Sequence, residues 1–305
     1  RLVSFDVAGL RAQFPALASG VAHFDGPGGT QTPRPVADAI AATLTSPLSN
    51  RGQSTPSEAN ADRCVSEFRT AYADFLGLPS DGIVYGRSAT QLTYDFSRAL
   101  AKQWGAGDEI VVTRLDHDAN VRPWVQAAAG AGATVRWIDF DPETAELDVR
   151  SIDRAITART RLVALTAASN LVGTRPPVAE IAAAAHAVGA LVYVDGVHYA
   201  AHQFVDVSAL GADFFVCSPY KFLGPHCAVL GARPALPDTV LPDKLLPSTN
   251  VVPERFELGT LPYEVMAGAT AAVDYLAGIA PGDADDRRDQ LCTSMAAVDE
   301  HELRL

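Results

Sequence analysis

Apolar residues along this chain change between helical and strand-like spacing. In residues 58–77, Val65, Phe68, Tyr72 and Phe75 recur at helical spacing, and the segment closes with a glycine, a common helix stop. Short apolar runs follow, mostly separated by alanine-rich helical stretches, at residues 82–86, 109–113, 133–138, 161–166, 190–195 and 213–217. Such runs are typical of strands buried on both faces of a parallel sheet. The pattern therefore predicts an α/β fold, with a mostly parallel sheet flanked by helices.

The same pattern predicts how the chain is divided. We expect an N-terminal arm over residues 1–29 and one large α/β domain over residues 30–265. A proline-rich stretch at residues 232–256 is predicted to be an irregular segment, and helical spacing of apolar residues resumes after it. Residues 266–305 are predicted to begin a smaller C-terminal domain. Because the chain lacks an initial methionine and stops within a helical pattern, we expect the natural protein to be longer.

Composition and charge narrow the possible partners. The 305 residues include 36 acidic and 24 basic side chains, a net charge of −12, which disfavours nucleic acid and anionic lipid as partners. The longest apolar run is too short to span a membrane. The four cysteines lie far apart with no C-x-x-C pair, which favours a reducing cytoplasm over a disulfide framework or a zinc site. A small molecule is therefore the expected partner.

Polar residues follow the predicted strands at the positions where ligands bind in parallel sheets. Ligands of open α/β sheets sit beyond the carboxyl ends of the strands. Five strand ends are followed by residues that can bind a ligand or react with it, namely Ser88, His117, Asn170, Asp195 and Lys221. We expect these five side chains to converge on one crevice.

Ser88, Ala89 and Thr90 lead directly into a predicted helix. Their backbone N–H groups and two hydroxyls could form an anion cup that holds a phosphate. Ser88 could instead simply cap the helix. The sequence leaves both interpretations open.

Asp195 and Lys221 are the strongest candidates for chemistry. Asp195 ends a strand without a local cation, although it could merely form a turn with Gly196. Lys221 follows a buried strand and has aromatic neighbours, an environment that lowers the pKa of an amine and favours nucleophilic use; the alternative is an ammonium that reaches solvent. An anion cup, a carboxylate and such a lysine together match the needs of a pyridoxal phosphate site.

Four ordered motifs carry a family resemblance over almost the whole chain. The segments DHDANVRPW, ASNLVGT, VDGVH and SPYKFLGP resemble those of the class V aminotransferase and cysteine desulfurase family. This family consists of pyridoxal phosphate enzymes of fold type I. The resemblance implies a seven-stranded type of sheet, pyridoxal 5'-phosphate as cofactor and an amino acid as substrate.

The resemblance also implies roles for individual residues. His117 maps to the histidine that stacks on the cofactor ring, and Asn170 maps to the asparagine near the ring oxygen. Asp195 maps to the partner of the ring nitrogen, Ser218 to a phosphate ligand and Lys221 to the Schiff-base lysine. Lys221, once free, is implied as the general base and acid at the substrate α-carbon.

Three further positions refine the resemblance. Thr260, in RFELGT, maps to a threonine that reaches the phosphate of the neighbouring subunit, which implies a homodimer. His198 and Tyr220, both expected at the cofactor, depart from the glutamine and histidine that are usual in desulfurases. The residues at these two positions resemble those of kynureninase and the isopenicillin-type epimerases more closely than those of desulfurases. The reaction could therefore be desulfuration or transamination, or instead elimination or epimerisation; a non-catalytic scaffold of the same fold is a further alternative.

A cysteine and a pair of histidines are predicted to have no catalytic or metal-binding role. The sequence around Cys227 resembles that of the loop which carries the desulfurase nucleophile. Cys227, however, follows Lys221 closely along the chain, and we expect it to be a packed small residue. The nucleophilic cysteine and the arginine that binds the substrate carboxylate are expected beyond this chain. His198 and His202 have the i, i+4 spacing of helical metal ligands, but no glutamate or third ligand accompanies them, so no metal is predicted.

Overall fold

The structure is a computed structural model that describes residues 6–233, 235–280, 282 and 284–305. Residues 1–5 of the predicted N-terminal arm lie outside the described residues. The helices are α1 (Val7–Ala12), α2 (Arg34–Leu44), α3 (Pro56–Leu76), α4 (Ala89–Ala101), α5 (Arg122–Ala131), α6 (Val149–Ala155), α7 (Val178–Ala187), α8 (Leu236–Thr239), α9 (Tyr263–Ala277) and α10 (Arg287–Glu302). The strands are β1 (Ile83–Gly86), β2 (Glu109–Thr113), β3 (Thr134–Ile138), β4 (Thr160–Thr166), β5 (Leu191–Asp195), β6 (Phe214–Cys217) and β7 (Ala228–Ala232).

Across the described residues, seven strands form one sheet in the order β1-β7-β6-β5-β4-β2-β3. Strands β6, β5, β4, β2 and β3 pair in parallel, whereas β7 runs antiparallel to both β1 and β6. This topology confirms the predicted α/β fold with a mostly parallel sheet. All parallel strands therefore end at the same edge of the sheet, which we call the carboxyl edge.

Strand β7 is the one strand that the sequence pattern did not predict. Its residues, AVLGA, include two alanines and a glycine, and the prolines that follow closely are typical of an irregular segment. The glycine at position 231 has a packing role, because a Cβ atom there would lie 2.7 Å from the Cδ1 atoms of both Leu76 and Leu78. The glycine thus lets the end of α3 pack closely on the sheet.

Helix α3 shows why the local sequence adopts its predicted structure. Thr55 caps the helix by accepting a hydrogen bond from the Glu58 N–H at 3.2 Å, and the Glu58 carboxylate accepts one from the Thr55 N–H at 3.0 Å. Gly77 ends the helix with a φ of 70°, a left-handed conformation that favours glycine. The apolar face of α3 is buried, as its spacing predicted.

The sheet separates two hydrophobic cores. Successive residues of β4 alternate between them: Val163 and Leu165 face the core with α3, α7 and α9, whereas Leu162 and Ala164 face the core with α4 and α5. Every residue of β4 except Arg161 is buried. Burial on both faces accounts for the nearly continuous apolar run in the sequence.

Helices α9 and α10 pack on the outer side of the first core. Helix α9 contacts α2, α3 and α10, and its Met266, Ala269 and Val273 are buried in that core. The predicted start of a smaller domain at residue 266 falls within α9, and the division into domains stays a prediction. Within the residues that the structure describes, no helix is both long and apolar enough to cross a membrane.

Candidate active site

A crevice of about 570 Å³, open to solvent, lies at the carboxyl edge of the sheet. Fourteen residues line it: Ser88, Ala89, Thr90, His117, Ala119, Thr166, Ala168, Asn170, Asp195, Val197, His198, Ser218, Tyr220 and Lys221. The structure thus brings together every site residue that the sequence predicted except Thr260.

The N-terminus of α4 forms one wall of the crevice. The Ser88 hydroxyl accepts a hydrogen bond from the Gln91 N–H at 3.1 Å, so Ser88 does cap the helix. Ser88, Ala89 and Thr90 also face the crevice, where the first N–H groups of a helix have no partner within that helix. The capping role and a role in anion binding are therefore compatible, because the cap uses the side chain and leaves N–H groups of the first turn available.

His117 and Asn170 come from the loops that follow β2 and β4. The His117 Nδ1 atom accepts a hydrogen bond from the Ala119 N–H at 3.1 Å, which places the proton of a neutral imidazole on Nε2. His117 is exposed, whereas Asn170 is half-buried. An exposed ring at the mouth of the crevice is free to cover a flat ligand.

Asp195 ends β5 and is 8% exposed. Within the described part of the chain, its side chain accepts one hydrogen bond, from the Val197 N–H to Oδ1 at 2.9 Å. Burial raises the pKa of Asp195, and the charges of His117 and Lys221 act in the opposite direction. The turn predicted as the alternative interpretation is present, yet it uses only one of the two carboxylate oxygens.

Lys221 is half-buried in a one-turn helix, Pro219–Lys221, after β6. Burial lowers the pKa of its amine, while the nearby Asp195 carboxylate raises it. The Nζ atom lies 5.6 Å from the centre of the Tyr220 ring. Tyr220 stacks on His226, with ring centres 4.8 Å apart and planes at 10°. The lysine therefore lies in a partly apolar environment that favours the neutral, nucleophilic amine.

His198 lies beside a second histidine at the side of the crevice. Burial lowers the pKa of His198, and the positive charges of His202 and Lys221 lower it further. The rings of His198 and His202 are 4.9 Å apart, and His202 Nδ1 lies 2.9 Å from a carboxylate oxygen of Glu302. In the described residues no cluster of ligands could hold a metal ion.

Several residues at the crevice were not singled out in the sequence. Thr166, Ala119, Ala168 and Val197 line it; Thr166 is the last residue of β4, so the strand-end rule could have identified it. Asp116, next to His117, lies close enough to Asp195 for the charge of that carboxylate to raise its pKa. Burial is the main cause that raises the pKa of Asp116 to about 7, although hydrogen bonds from Thr113 and Asn120 oppose it.

Thr260 and Cys227 lie away from the crevice. Thr260 is exposed, lines a separate cleft with Arg87 and Leu258, and its hydroxyl lies 3.3 Å from Asn50 Oδ1. Its contribution to a neighbouring subunit stays a prediction. Cys227 is 1% exposed in the hydrophobic core, and burial raises the pKa of its thiol, as expected for a packed residue.

These side chains fit pyridoxal phosphate. The start of α4 suits a phosphate, the spare Asp195 oxygen suits a protonated ring nitrogen, and the Lys221 amine suits an aldehyde. The fit depends on one observation: a buried carboxylate and a lysine of lowered pKa line the same crevice as a helix N-terminus.

Comparison with known proteins identifies the family. The family model for class V aminotransferases matches residues 22–298. An uncharacterized protein of Mycobacterium tuberculosis, MT3887, is 32% identical over 97% of this chain and 75% of its own length. A cysteine desulfurase of Enterobacter sp. is 34% identical over 90% of this chain and 72% of its own length.

A solved structure agrees with the sequence matches. The cysteine desulfurase CsdA of Escherichia coli superposes with a TM-score of 0.81 at 28% identity, covering 90% of this chain and 72% of CsdA. The chain therefore belongs to the class V aminotransferase family, pyridoxal-phosphate-dependent enzymes of fold type I that act on amino acids, as the resemblance implied.

Proposed function

We propose that this chain carries the cofactor site of an enzyme that cleaves the side chain of cysteine, or a closely similar amino acid, in the manner of a cysteine desulfurase. The observation that carries the proposal is the convergence of Lys221 and Asp195 on one crevice. The similarity to desulfurases over most of the chain supports this reaction as the first to test.

The residues of the crevice would bind the cofactor at three points. Pyridoxal phosphate supplies an electron-accepting ring that stabilises negative charge at the α-carbon of an amino acid. The N–H groups of Ala89 and Thr90 would bind its phosphate, together with the Ser218 hydroxyl. His117 would cover one face of the ring and exclude water from it. Asn170 and His198 would lie near the ring oxygen.

Asp195 and Lys221 would control the protons. A buried Asp195 carboxylate that accepts a hydrogen bond from a protonated ring nitrogen keeps that nitrogen positive, because the charge-assisted bond contributes about 1.5–3 kcal/mol. Lys221 would hold the cofactor by condensation of its amine with the aldehyde, which releases water. Once the amino group of the substrate has displaced it, the free Nζ atom would take and return the α-proton. Its lowered pKa favours the neutral amine that both steps need.

A second function has its own observation in favour. His198 and Tyr220 stand where desulfurases usually have glutamine and histidine, and Tyr220 is held against His226 by stacking. Because these side chains border Lys221, they could redirect the proton that the amine returns. A lyase or epimerase of the same cofactor is therefore the alternative reaction.

A panel of amino acids tests the proposal. The full-length protein with pyridoxal phosphate and a thiol reductant is incubated with cysteine, alanine and other amino acids, and sulfide, alanine, keto acids and racemised substrate are measured. We expect alanine and sulfide from cysteine, because the thiol reductant supplies the two electrons that reduce the released sulfur to sulfide. Pyruvate in place of alanine, which indicates elimination, or racemised substrate would instead support the alternative reaction.

Two lysine variants provide the control. Lys221→Ala is expected to abolish turnover. Lys102→Ala is the matched control, because Lys102 lies on the surface, paired with Asp243 at 2.7 Å, and its variant is expected to retain activity. Equal activity of both variants would contradict the role proposed for Lys221.

A further inference from the structure

The loop that carries Lys221 contains a residue in a disfavoured backbone conformation. Leu223, two residues after the lysine, has a φ of 73°, in the left-handed region that side chains with a Cβ atom rarely adopt. The turn before it is closed by the bonds from Phe222 N–H and Gly224 N–H to Pro219 O, at 2.9 and 2.8 Å. Such a conformation persists only where the surroundings hold it.

Thr30 bonds to the chain on both sides of Lys221. Its N–H and its hydroxyl both donate to the Tyr220 carbonyl, at 2.9 and 3.2 Å. The same hydroxyl oxygen accepts a hydrogen bond from the Leu223 N–H at 2.8 Å. One side chain, 190 residues away in sequence, thus joins the residue before the lysine to the strained residue after it.

Gly29 lets Thr30 approach the loop so closely. Its φ is 145°, and a Cβ atom at this position would lie 3.2 Å from Tyr220 Cδ2. The backbone of residue 29 therefore passes directly against the Tyr220 ring. The segment is built for contact with the lysine loop.

We propose that Thr30 is a positioning residue that holds the backbone from Tyr220 to Leu223 and thereby directs the Lys221 amine into the crevice; the proposal rests on the function proposed for Lys221. Without the Thr30 hydroxyl, the Leu223 N–H lacks its partner and the left-handed conformation loses a bond that stabilises it. The peptide units on either side of Lys221 then relax, and the amine loses its fixed direction.

Three substitutions separate the hydroxyl from the shape of the side chain. Thr30→Val keeps the shape and removes both hydroxyl bonds, Thr30→Ala removes both, and Thr30→Ser keeps the hydroxyl. In the full-length protein without cofactor, we expect hydrogen exchange of the Leu223 amide to be about tenfold faster in Thr30→Val and Thr30→Ala. Thr30→Ser is expected to match the natural protein.

A second measurement reaches the lysine itself. Pyridoxal phosphate is added to each variant and the rate at which Lys221 binds it covalently is measured. We expect this rate, and kcat more than KM, to fall about tenfold in Thr30→Val and to be restored in Thr30→Ser. Unchanged exchange at Leu223 and an unchanged binding rate in Thr30→Val would overturn the proposal.

The two proposals fail in different ways. If the natural protein does not bind pyridoxal phosphate at Lys221, the proposed function is refuted, and so is the direction of the amine toward that ligand. If binding at Lys221 occurs but does not depend on the Thr30 hydroxyl, only the positioning role is refuted. The valine and serine variants distinguish these results within one experiment.

Discussion

Asp213 and Asp195 flank neighbouring strands, yet they lie at opposite edges of the sheet and differ in their partners. Asp213 precedes β6, is fully buried, and bonds to Arg233, to the Val192 N–H at 2.7 Å and to His186 Nε2 at 2.9 Å. Asp195 follows β5 and accepts one hydrogen bond within the described residues. The comparison shows that a buried acid with complete partners serves the fold, whereas one with a spare oxygen facing a crevice has room for a cationic ligand.

The same contrast extends along both edges. At the amino edge, Glu109 begins β2; burial alone would raise its pKa, but hydrogen bonds from Thr157 at 2.6 Å and Arg159 at 2.6 Å hold the pKa below its ordinary value. At the carboxyl edge, burial raises the pKa of both Asp116 and Asp195. Of these three carboxyl groups, the two with a raised pKa both lie at the edge with the crevice.

The largest effect on stability is expected at the amino edge. Asp213→Asn leaves Arg233 and His186 without their carboxylate and turns an amide N–H toward donors, which should lower the free energy of unfolding by about 3 kcal/mol. Urea unfolding of the full-length protein measures it. If Asp213→Asn unfolds at the same urea concentration as the natural protein, the structural role is wrong.

Asp195→Asn should give the opposite result. We expect turnover to fall about ten- to a hundredfold, because an amide cannot keep a ring nitrogen protonated. Stability without cofactor should be unchanged or higher, since the substitution removes a buried charge with few partners. Steady-state kinetics and urea unfolding of the same preparation check both parts. A variant that loses stability but keeps turnover would reverse our assignment of the two aspartates.

Asp116 should make the free energy of unfolding depend on pH. Its pKa of about 7 exceeds the ordinary value of roughly 4, so between these values the folded protein holds a proton that the unfolded chain has lost. The contribution of Asp116 to stability is therefore complete at low pH and falls by about 1.4 kcal/mol per pH unit as the pH rises through this window. Urea unfolding across the window should show this slope, and Asp116→Asn should lack it. A slope that persists in the variant belongs to another group.

The smallest effect is expected for His202, whose pKa is raised chiefly by its hydrogen bond to Glu302. The raised pKa means that the pair stabilises the fold fully below the ordinary pKa of histidine and loses this contribution as the pH rises through the higher folded value. Because both side chains are 41% exposed, we expect His202→Gln to cost about 0.2–1 kcal/mol at low pH. Urea unfolding at a pH below the ordinary pKa of histidine and at a pH above the raised value measures this cost, with Glu302→Gln as control. An effect larger than that of Asp213→Asn would contradict the importance that we give to burial.

The sequence predicted which side chains would lie together at one edge of the sheet, because the strand-end rule depends only on order along the chain. Asp195 follows the run LVYV, whereas Asp213 precedes FFVC, and this order alone assigns them to opposite edges of a parallel sheet. The helix at α3 was equally accessible, since its cap and its stop are local signals. The prediction of the helix rests on interactions within a short segment. The prediction of the edge rests on the common direction of strands in a parallel sheet.

The features that the sequence did not predict depend on contacts between distant segments. Strand β7 contains Gly231, on which the end of α3 packs. Thr30 reaches the lysine loop from 190 residues away. Neither contact leaves a pattern in the local order of apolar and polar residues, so neither could be inferred before the fold was known.

Covalent labelling tests the central claim most directly, because these 305 residues contain three lysines, Lys102, Lys221 and Lys244, that peptide mapping can tell apart. The full-length protein is incubated with pyridoxal phosphate, reduced with borohydride to fix any imine, and digested for peptide mapping by mass spectrometry. We predict a phosphopyridoxyl group on Lys221 and none on the other two. Label on Lys102 or Lys244 with an unmodified Lys221 would contradict the claim that the carboxyl edge is the cofactor site.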